Sequence, residues 1–287
     1  MIEAPLTHKF IETNDIRLHV VEAGSPDGQL LIFLHGFPEF WYSWRHQIDF
    51  CVEAGYRVII LYKLGYNFSY KPVRISSFSL GDLARDVVGL IDACGQKKAS
   101  IVAHDWGGMV AWQLAMSFAE RIEKLVIMNV PHPKVMLRHL KTNPQQRRRS
   151  RYVFLFQLPF LPEWRMRKDS WDYATRALTK TSRPGTFSDA DLARYRESWA
   201  QPRALTGMIN WYRAGVRHRP KLDRQHNISL PILMIWGTQD RFLGKEMAMD
   251  SMAFCTNGRL EMLDMAGHWL QHEEPEKVNR LIRAFLA

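Results

Sequence analysis

Ala103-His104-Asp105-Trp106-Gly107-Gly108 follows the apolar run Ser100-Ile101-Val102-Ala103. It opens the helix-like run Met109-Val110-Ala111-Trp112-Gln113-Leu114-Ala115-Met116. The order is strand, sharp turn, helix, with small residues two places before and two places after a central Asp. So tight a turn pushes its central residue out over the end of a sheet, and large flanking side chains would clash. The familiar version of this turn carries Ser and attacks carbonyls. With Asp105 at the nucleophile position, the chemistry shifts to displacement at saturated carbon, because the resulting ester is one that water can cleave. A serine doing the same would be left as an inert ether.

The rest of the chain fits a sheet covered on both faces. Leu30-Leu31-Ile32-Phe33-Leu34, Val58-Ile59-Ile60-Leu61, Ile101-Val102-Ala103, Leu125-Val126-Ile127-Met128 and Ile232-Leu233-Met234-Ile235 are continuous apolar runs of strand length. Helical periodicity separates them: Leu80, Leu83, Val87, Leu90, Ile91 and Cys94 recur at three- and four-residue steps. So do Val278, Leu281, Ile282, Phe285 and Leu286, just after Pro275. Near the N-terminus, Lys9–Glu12 and Ile16–Val21 flank Asn14-Asp15 and predict an antiparallel hairpin. The expected class is α/β, a mostly parallel sheet with an antiparallel N-terminal hairpin. Between Pro131 and Pro220 the alternation stops in favour of a helical stretch rich in Arg, Trp, Tyr and Phe. It reads as a lid, residues 131–220, inserted after the sixth strand into a core of residues 1–130 and 221–287. Such a lid would cover the C-terminal edge of the sheet, where open α/β sheets bind ligands.

Several classes are disfavoured. No window of about 20 residues is uniformly apolar, so no membrane span is expected. Met1-Ile2-Glu3-Ala4-Pro5 lacks the pattern of a signal peptide. Cys51, Cys94 and Cys255 are widely spaced, which suits buried thiols in a reducing, cytoplasmic setting. Without a CxxC pair or HExxH, neither a metal nor another cofactor is expected. The net charge is +10, with an excess between about 134 and 224 that includes Arg147-Arg148-Arg149-Ser150-Arg151. Such charge fits either a nucleic-acid or acidic-membrane patch or a solvated helix face, and the solvated face is the preferred reading. No nucleic-acid motif accompanies the charge.

The chemically suggestive residues follow strands. After Leu34 comes His35-Gly36-Phe37-Pro38-Glu39, after Ala103 comes His104-Asp105-Trp106, after Ile235 comes Trp236-Gly237-Thr238-Gln239-Asp240, and after Leu263 comes Asp264-Met265-Ala266-Gly267-His268-Trp269. The order nucleophile, acid, His, here Asp105, Asp240, His268, is that of α/β-hydrolases. With HGFPE and the following Trp41-Tyr42-Ser43-Trp44-Arg45, HDWGG, Asn210-Trp211-Tyr212-Arg213 and Gly267-His268-Trp269, the chain resembles the α/β-hydrolase-fold epoxide hydrolases of soluble bacterial type over nearly its whole length.

The resemblance implies hydrolysis of hydrophobic or aryl epoxides to vicinal diols. Asp105 would form the ester, and Tyr152 and Tyr212 would hydrogen-bond and protonate the opening oxygen. His268 would activate water with Asp240 orienting it, and the backbone N–H groups of Phe37 and Trp106 would hold the oxyanion. In the family the first lid tyrosine lies five residues before the Gln of an F-Q-x-P segment, and the resemblance puts it here at Tyr152, before Phe156-Gln157-Leu158-Pro159. Phe37-Pro38 is expected to be cis, because the family turns sharply there.

Phe37, Trp106, Trp164 and Trp269 are expected as pocket walls, His35 and His104 as loop braces, Tyr173 and Tyr195 as packing, and His272 at the surface. The loop Tyr62-Lys63-Leu64-Gly65-Tyr66-Asn67-Phe68-Ser69 departs from the family. Relatives usually carry Asp where Tyr62 stands and a basic residue where Leu64 stands. The expected partners are a small-molecule epoxide and water, in a monomer or homodimer. A haloalkane dehalogenase would share the Asp nucleophile but want side-chain donors around the halide, and Phe37 offers none. A non-catalytic ligand-binding protein on a hydrolase scaffold would be expected to have lost a triad member.

Overall fold

The structure is a computed structural model that describes residues 2–218 and 227–287. Among these, eight strands form one sheet: β1 (Thr7–Thr13), β2 (Ile16–Ala23), β3 (Gln29–Leu34), β4 (Tyr56–Leu61), β5 (Ala99–His104), β6 (Ile122–Met128), β7 (Ile232–Gly237) and β8 (Gly258–Leu263). Their order is β1-β2-β4-β3-β5-β6-β7-β8. The hairpin β1–β2 and the pair β2–β4 are antiparallel, and every pair from β4 onward is parallel. Strands β3 and β5 lie at the centre with all or nearly all residues buried, which is why they read as unbroken apolar runs.

The helices that cover the two faces are α1 (Ile48–Glu53), α2 (Leu80–Ala93), α3 (Trp106–Ser117), and, beyond β6, α10 (Glu246–Met252), α11 (Leu270–Glu273) and α12 (Pro275–Leu286). Ser79 caps α2 through its side chain, accepting from the Asp82 N–H. Between β6 and β7 the chain is helical: α4 (Pro133–Thr142), α5 (Pro144–Arg149), α6 (Arg151–Leu155), α7 (Leu161–Thr179), α8 (Asp189–Ala200) and α9 (Ala204–Arg217). The expected boundary at residues 220 and 221 lies outside the described residues. Pro133 and Pro144 stand in the first turns of α4 and α5, where a missing N–H costs nothing. A capping box between Ser188 and Asp191 starts α8, and non-helical backbone at Lys168–Trp171 interrupts α7.

Among the contacts that tie this insertion to the core are two seams. The HGFPE segment holds α8: the Trp199 indole donates to the Pro38 carbonyl at 2.6 Å, and the Tyr195 hydroxyl donates to Glu39 at 2.8 Å. The loop after β4 holds α9, where the Trp211 indole donates to the Leu64 carbonyl at 2.9 Å. At that second seam backbone meets backbone, since a Cβ on Gly207 would lie 2.2 Å from the Gly65 carbonyl oxygen. Gly207→Ala should therefore lower stability by about 2 kcal/mol or more, read as a fall in the urea midpoint. Gly81→Ala, whose Cβ would meet nothing nearer than 3.9 Å, should leave the midpoint unchanged or slightly raised.

Candidate active site

Asp105 follows β5 with φ 49° and ψ −122°, a conformation that L residues avoid. Its neighbours must be small. A Cβ on Gly107 would lie 2.1 Å from the Leu34 carbonyl oxygen, and one on Gly36 would strike Asp105 itself. In return the Asp105 carboxylate stands over the sheet edge, and the Phe37 N–H donates to its Oδ1 at 2.8 Å. Trp106 begins α3, so its N–H is among those with no intrahelical acceptor. The Phe37–Pro38 peptide is cis.

His268 brings its Nε2 to 3.8 Å from Asp105 Oδ2, while its Nδ1 lies 2.7 Å from Asp240 Oδ2. Asp240 is fixed on both oxygens: the Phe242 and Leu243 N–H groups donate to Oδ1, and the Asn129 amide donates to Oδ2 at 2.6 Å. Burial opposes a charged imidazole at His268. The charge and hydrogen bond of Asp240, with the charges of Asp105 and Glu39, outweigh it and raise His268 to about 9.

Two cavities meet at the nucleophile. One, of about 220 Å³, is lined by Trp106, Met109, Val130, Met136 and Leu140 among others. The second, of about 390 Å³, is lined by Phe37, Phe156, Met166, Tyr173 and Trp269 among others. Asp105, Tyr152, Tyr212 and Phe242 belong to both. Tyr212 on α9 sits edge-on to Phe37 and Trp106 at 5.0 Å each, and to Tyr152 on α6 at 5.7 Å. Burial is the first cause that pushes both phenols above their ordinary range, followed by the charge of Asp105 at Tyr152 and by Tyr152 and then Asp105 at Tyr212, so both carry their protons at neutral pH.

Phe37, Trp106 and Trp269 thus line the cavities. Trp164 does not: it points outward from α7 into a separate surface groove. Its place on the outer face of a helix is a matter of insertion geometry that aromatic content alone does not reveal. Tyr173 lines the second cavity as well as packing. His272 corrects the surface expectation, for it is buried. Its Nε2–H donates to Glu39 at 2.7 Å, and its Nδ1 accepts from Arg45 at 2.7 Å. Burial and then the Arg45 charge lower it to about 4, so it is neutral.

Glu39, quoted in HGFPE without a role, is the centre of a buried network. It accepts from Tyr195, His272 and Gln271 and lies 3.3 Å from His104. His104 Nε2 in turn donates to the His268 carbonyl at 2.8 Å, tying the nucleophile turn to the histidine loop. Asn129, with φ 44° at the end of β6, also escaped the sequence reading. An Asn that ends a buried strand was its only signal.

A family described as the alpha/beta hydrolase fold matches residues 29–275. An AB hydrolase superfamily protein of Bacillus subtilis, YfhM, is 45% identical over 97% of this chain and 97% of its own. Epoxide hydrolase 2 of Caenorhabditis elegans is 36% identical over 97% of this chain and 79% of its own. The chain belongs to the α/β-hydrolase family and, within it, to the group of these epoxide hydrolases. A crystal structure of the Bacillus megaterium epoxide hydrolase with an inhibitor superimposes with a TM-score of 0.87, at 30% identity, over 97% of this chain and 99% of that one.

The loop after β4 has buried contacts of its own. Tyr62 is buried against His19 and Phe40, and the Ser69 hydroxyl closes the loop by donating to the Tyr62 carbonyl. Lys63 is buried, with its ammonium 4.1 Å from the Trp211 ring centre and 4.9 Å from that of Tyr66. Burial lowers it to about 7, against the pull of Asp105 and Glu39. Between pH 7 and 10.5 the unfolded chain keeps a proton on this amine that the folded chain has lost. Stability therefore rises with pH across that window, and the full cost of the buried charge falls below it. Lys63→Met should raise the Tm by roughly 5 °C at pH 7, a gain that shrinks as pH approaches 10.5. Differential scanning calorimetry across that range checks it.

Proposed function

We propose that this protein hydrolyses epoxides to vicinal diols through an ester on Asp105. The observation that carries the reading is the shared wall of the two cavities, where one carboxylate and two protonated phenols face the same space. One Asp105 oxygen is engaged by the Phe37 N–H and stays behind as the future ester carbonyl. The other attacks an oxirane carbon, and the C–O bond breaks. The alkoxide released is a poor leaving group in water, and it takes a proton from Tyr152 or Tyr212.

In the second half, His268 Nε2 removes a proton from water, and that water oxygen adds to Cγ of Asp105. The oxyanion forms on the ester carbonyl beside the N–H groups of Phe37 and Trp106. Its collapse expels the diol and restores the carboxylate, and the imidazolium returns the proton to the tyrosine. Esterification removes the Asp105 charge, one of the groups that hold the proton on His268. That loss favours the neutral imidazole at the step that needs a base, while Asp240 keeps it oriented.

Both cavities are walled chiefly by apolar side chains, which suits hydrophobic epoxides. We read residues 131–220 as a lid that carries both tyrosines over a core of residues 1–130 and 221–287, and the three free cysteines as those of a cytoplasmic protein. Among the described residues no helix is long and apolar enough to cross a membrane.

A single turnover with excess enzyme and an aryl epoxide in water enriched in heavy oxygen tests the route. The first diol should carry unlabelled oxygen from Asp105, and label entering the diol directly would overturn the ester. His268→Gln should let the ester accumulate as a mass gain equal to the epoxide. Tyr212→Phe should slow ring opening by roughly a hundredfold while ester hydrolysis proceeds, and an equal loss in both steps would make Tyr212 structural.

A further inference from the structure

The helical insertion holds the whole of the chain's net positive charge. Residues 131–220 contain 19 Lys and Arg against 6 Asp and Glu, a net of +13, and the remainder nets −3. Charge of this kind is by itself an ordinary solvated surface. What alters the reading is the apolar surface set among the cations.

Phe160 is 84% exposed, Trp164 58% and Val73 77%, and the three line one groove with Arg167, Lys168 and Arg217. Phe160 has φ 59°, so the turn between α6 and α7 keeps a bulky aromatic in the left-handed region with its ring in solvent. The acid of this groove is already neutralised, because Glu163 is bound by the guanidinium of Arg213 at 2.8 Å. Lys168 stands over the Trp164 ring at 5.4 Å. Lys168 also faces an acid, Asp169 at 4.0 Å, in an exposed pair that leaves the rim net positive. Exposed Phe and Trp ringed by an excess of Lys and Arg match a lipid interface, where aromatic side chains sit at headgroup depth and cations meet lipid phosphates.

The groove lies on the segment that leads to the reaction centre. Phe154, 70% exposed on α6, lines the cavity that ends on Asp105. A chain bound through Phe160 and Trp164 would hold this part of the cavity rim near the bilayer in which an apolar epoxide dissolves.

We propose that the α6–α7 turn, with Phe160 and Trp164 as anchors and Arg167, Lys168 and Arg217 as the cationic rim, docks this protein on an anionic lipid surface. Docking is reversible and needs no spanning segment: the rings insert to the depth of the headgroups, and the cations replace counterions at lipid phosphates.

The test is flotation of the full chain with phosphatidylcholine vesicles containing about 30 mol % phosphatidylglycerol, beside vesicles of phosphatidylcholine alone. Binding is expected to the anionic vesicles, to weaken when salt is raised above about 0.5 M, and to be lost on neutral ones. Phe160→Ser with Trp164→Ser, and separately Arg167→Gln with Lys168→Gln and Arg217→Gln, should each reduce the partition coefficient by roughly tenfold. Both variants should keep the parent's Tm and its turnover of a water-soluble epoxide. No binding to anionic vesicles, or binding that both variants retain, overturns the proposal. So does a parent dimer that Phe160→Ser with Trp164→Ser converts to monomer in light scattering, since the groove is then an interface between copies. Binding is read without turnover, so its failure leaves the epoxide reading untouched.

Discussion

Asp105 is held with its backbone in a region that costs about 1–3 kcal/mol for a residue with a side chain, and much of the centre of the molecule is arranged around that turn. Its N–H reaches the Met128 carbonyl on β6, its carbonyl accepts from Met109 on α3, and its side chain takes the Phe37 N–H from beyond β3. These anchors exist because β3, β5 and β6 run parallel and adjacent, so that their C-terminal ends emerge side by side. Gly36, Gly107 and Gly108 are there because a methyl group at any of them would collide with a neighbour. The reactive carboxylate is placed by backbone contacts and absent side chains, before any catalytic partner is counted.

A second layer of order is electrostatic. Glu39 is fully enclosed, a position that a carboxylate tolerates only with hydrogen-bond donors on both oxygens. Burial would push it up, but His272 and His104 outweigh this and hold it well below the carboxylate range. Its donors come from α8 and α11, and His104 beside it comes from the end of β5. One buried charge therefore fixes the insertion, the histidine loop and the nucleophile turn relative to one another. Asp240 plays the corresponding part for His268, with two backbone donors and the Asn129 amide leaving its remaining capacity for the imidazole.

Much of this was legible in the chain. The central strands show as apolar runs because both faces are covered, and strand-end residues converge because parallel strands end on one rim. What stayed hidden depends on contacts across great sequence distance. His272 looks like a surface residue four places after His268, yet its partner Glu39 lies 233 positions away. Trp164 looks like a pocket wall because the sequence shows an aromatic-rich insertion without showing which side of α7 faces inward. Lys63 gives no sign of burial, since the rings that receive it, Tyr66 and Trp211, belong to a loop and to a helix of the insertion. Aromatic contacts of Tyr62 with His19 and Phe40 hold this loop, and Lys63 is buried within it at a cost.

The contact of Gly207 with Gly65 also fixes which part of the scaffold each tyrosine is built on. Helix α9 is pressed backbone to backbone on the loop after β4, with the Trp211 indole and the Lys63 ammonium on the same seam. Tyr212, the next residue after Trp211, therefore rides with the sheet. Tyr152 stands on the short helix α6, whose neighbour α5 is fastened to the Asp240 loop through Gln146 and Arg149. The two phenols thus start from different anchors, one on the nucleophile's own scaffold and the other on the loop that carries the acid, and Gln157 and Arg213 lock them together through hydrogen bonds to the Tyr212 and Phe156 carbonyls.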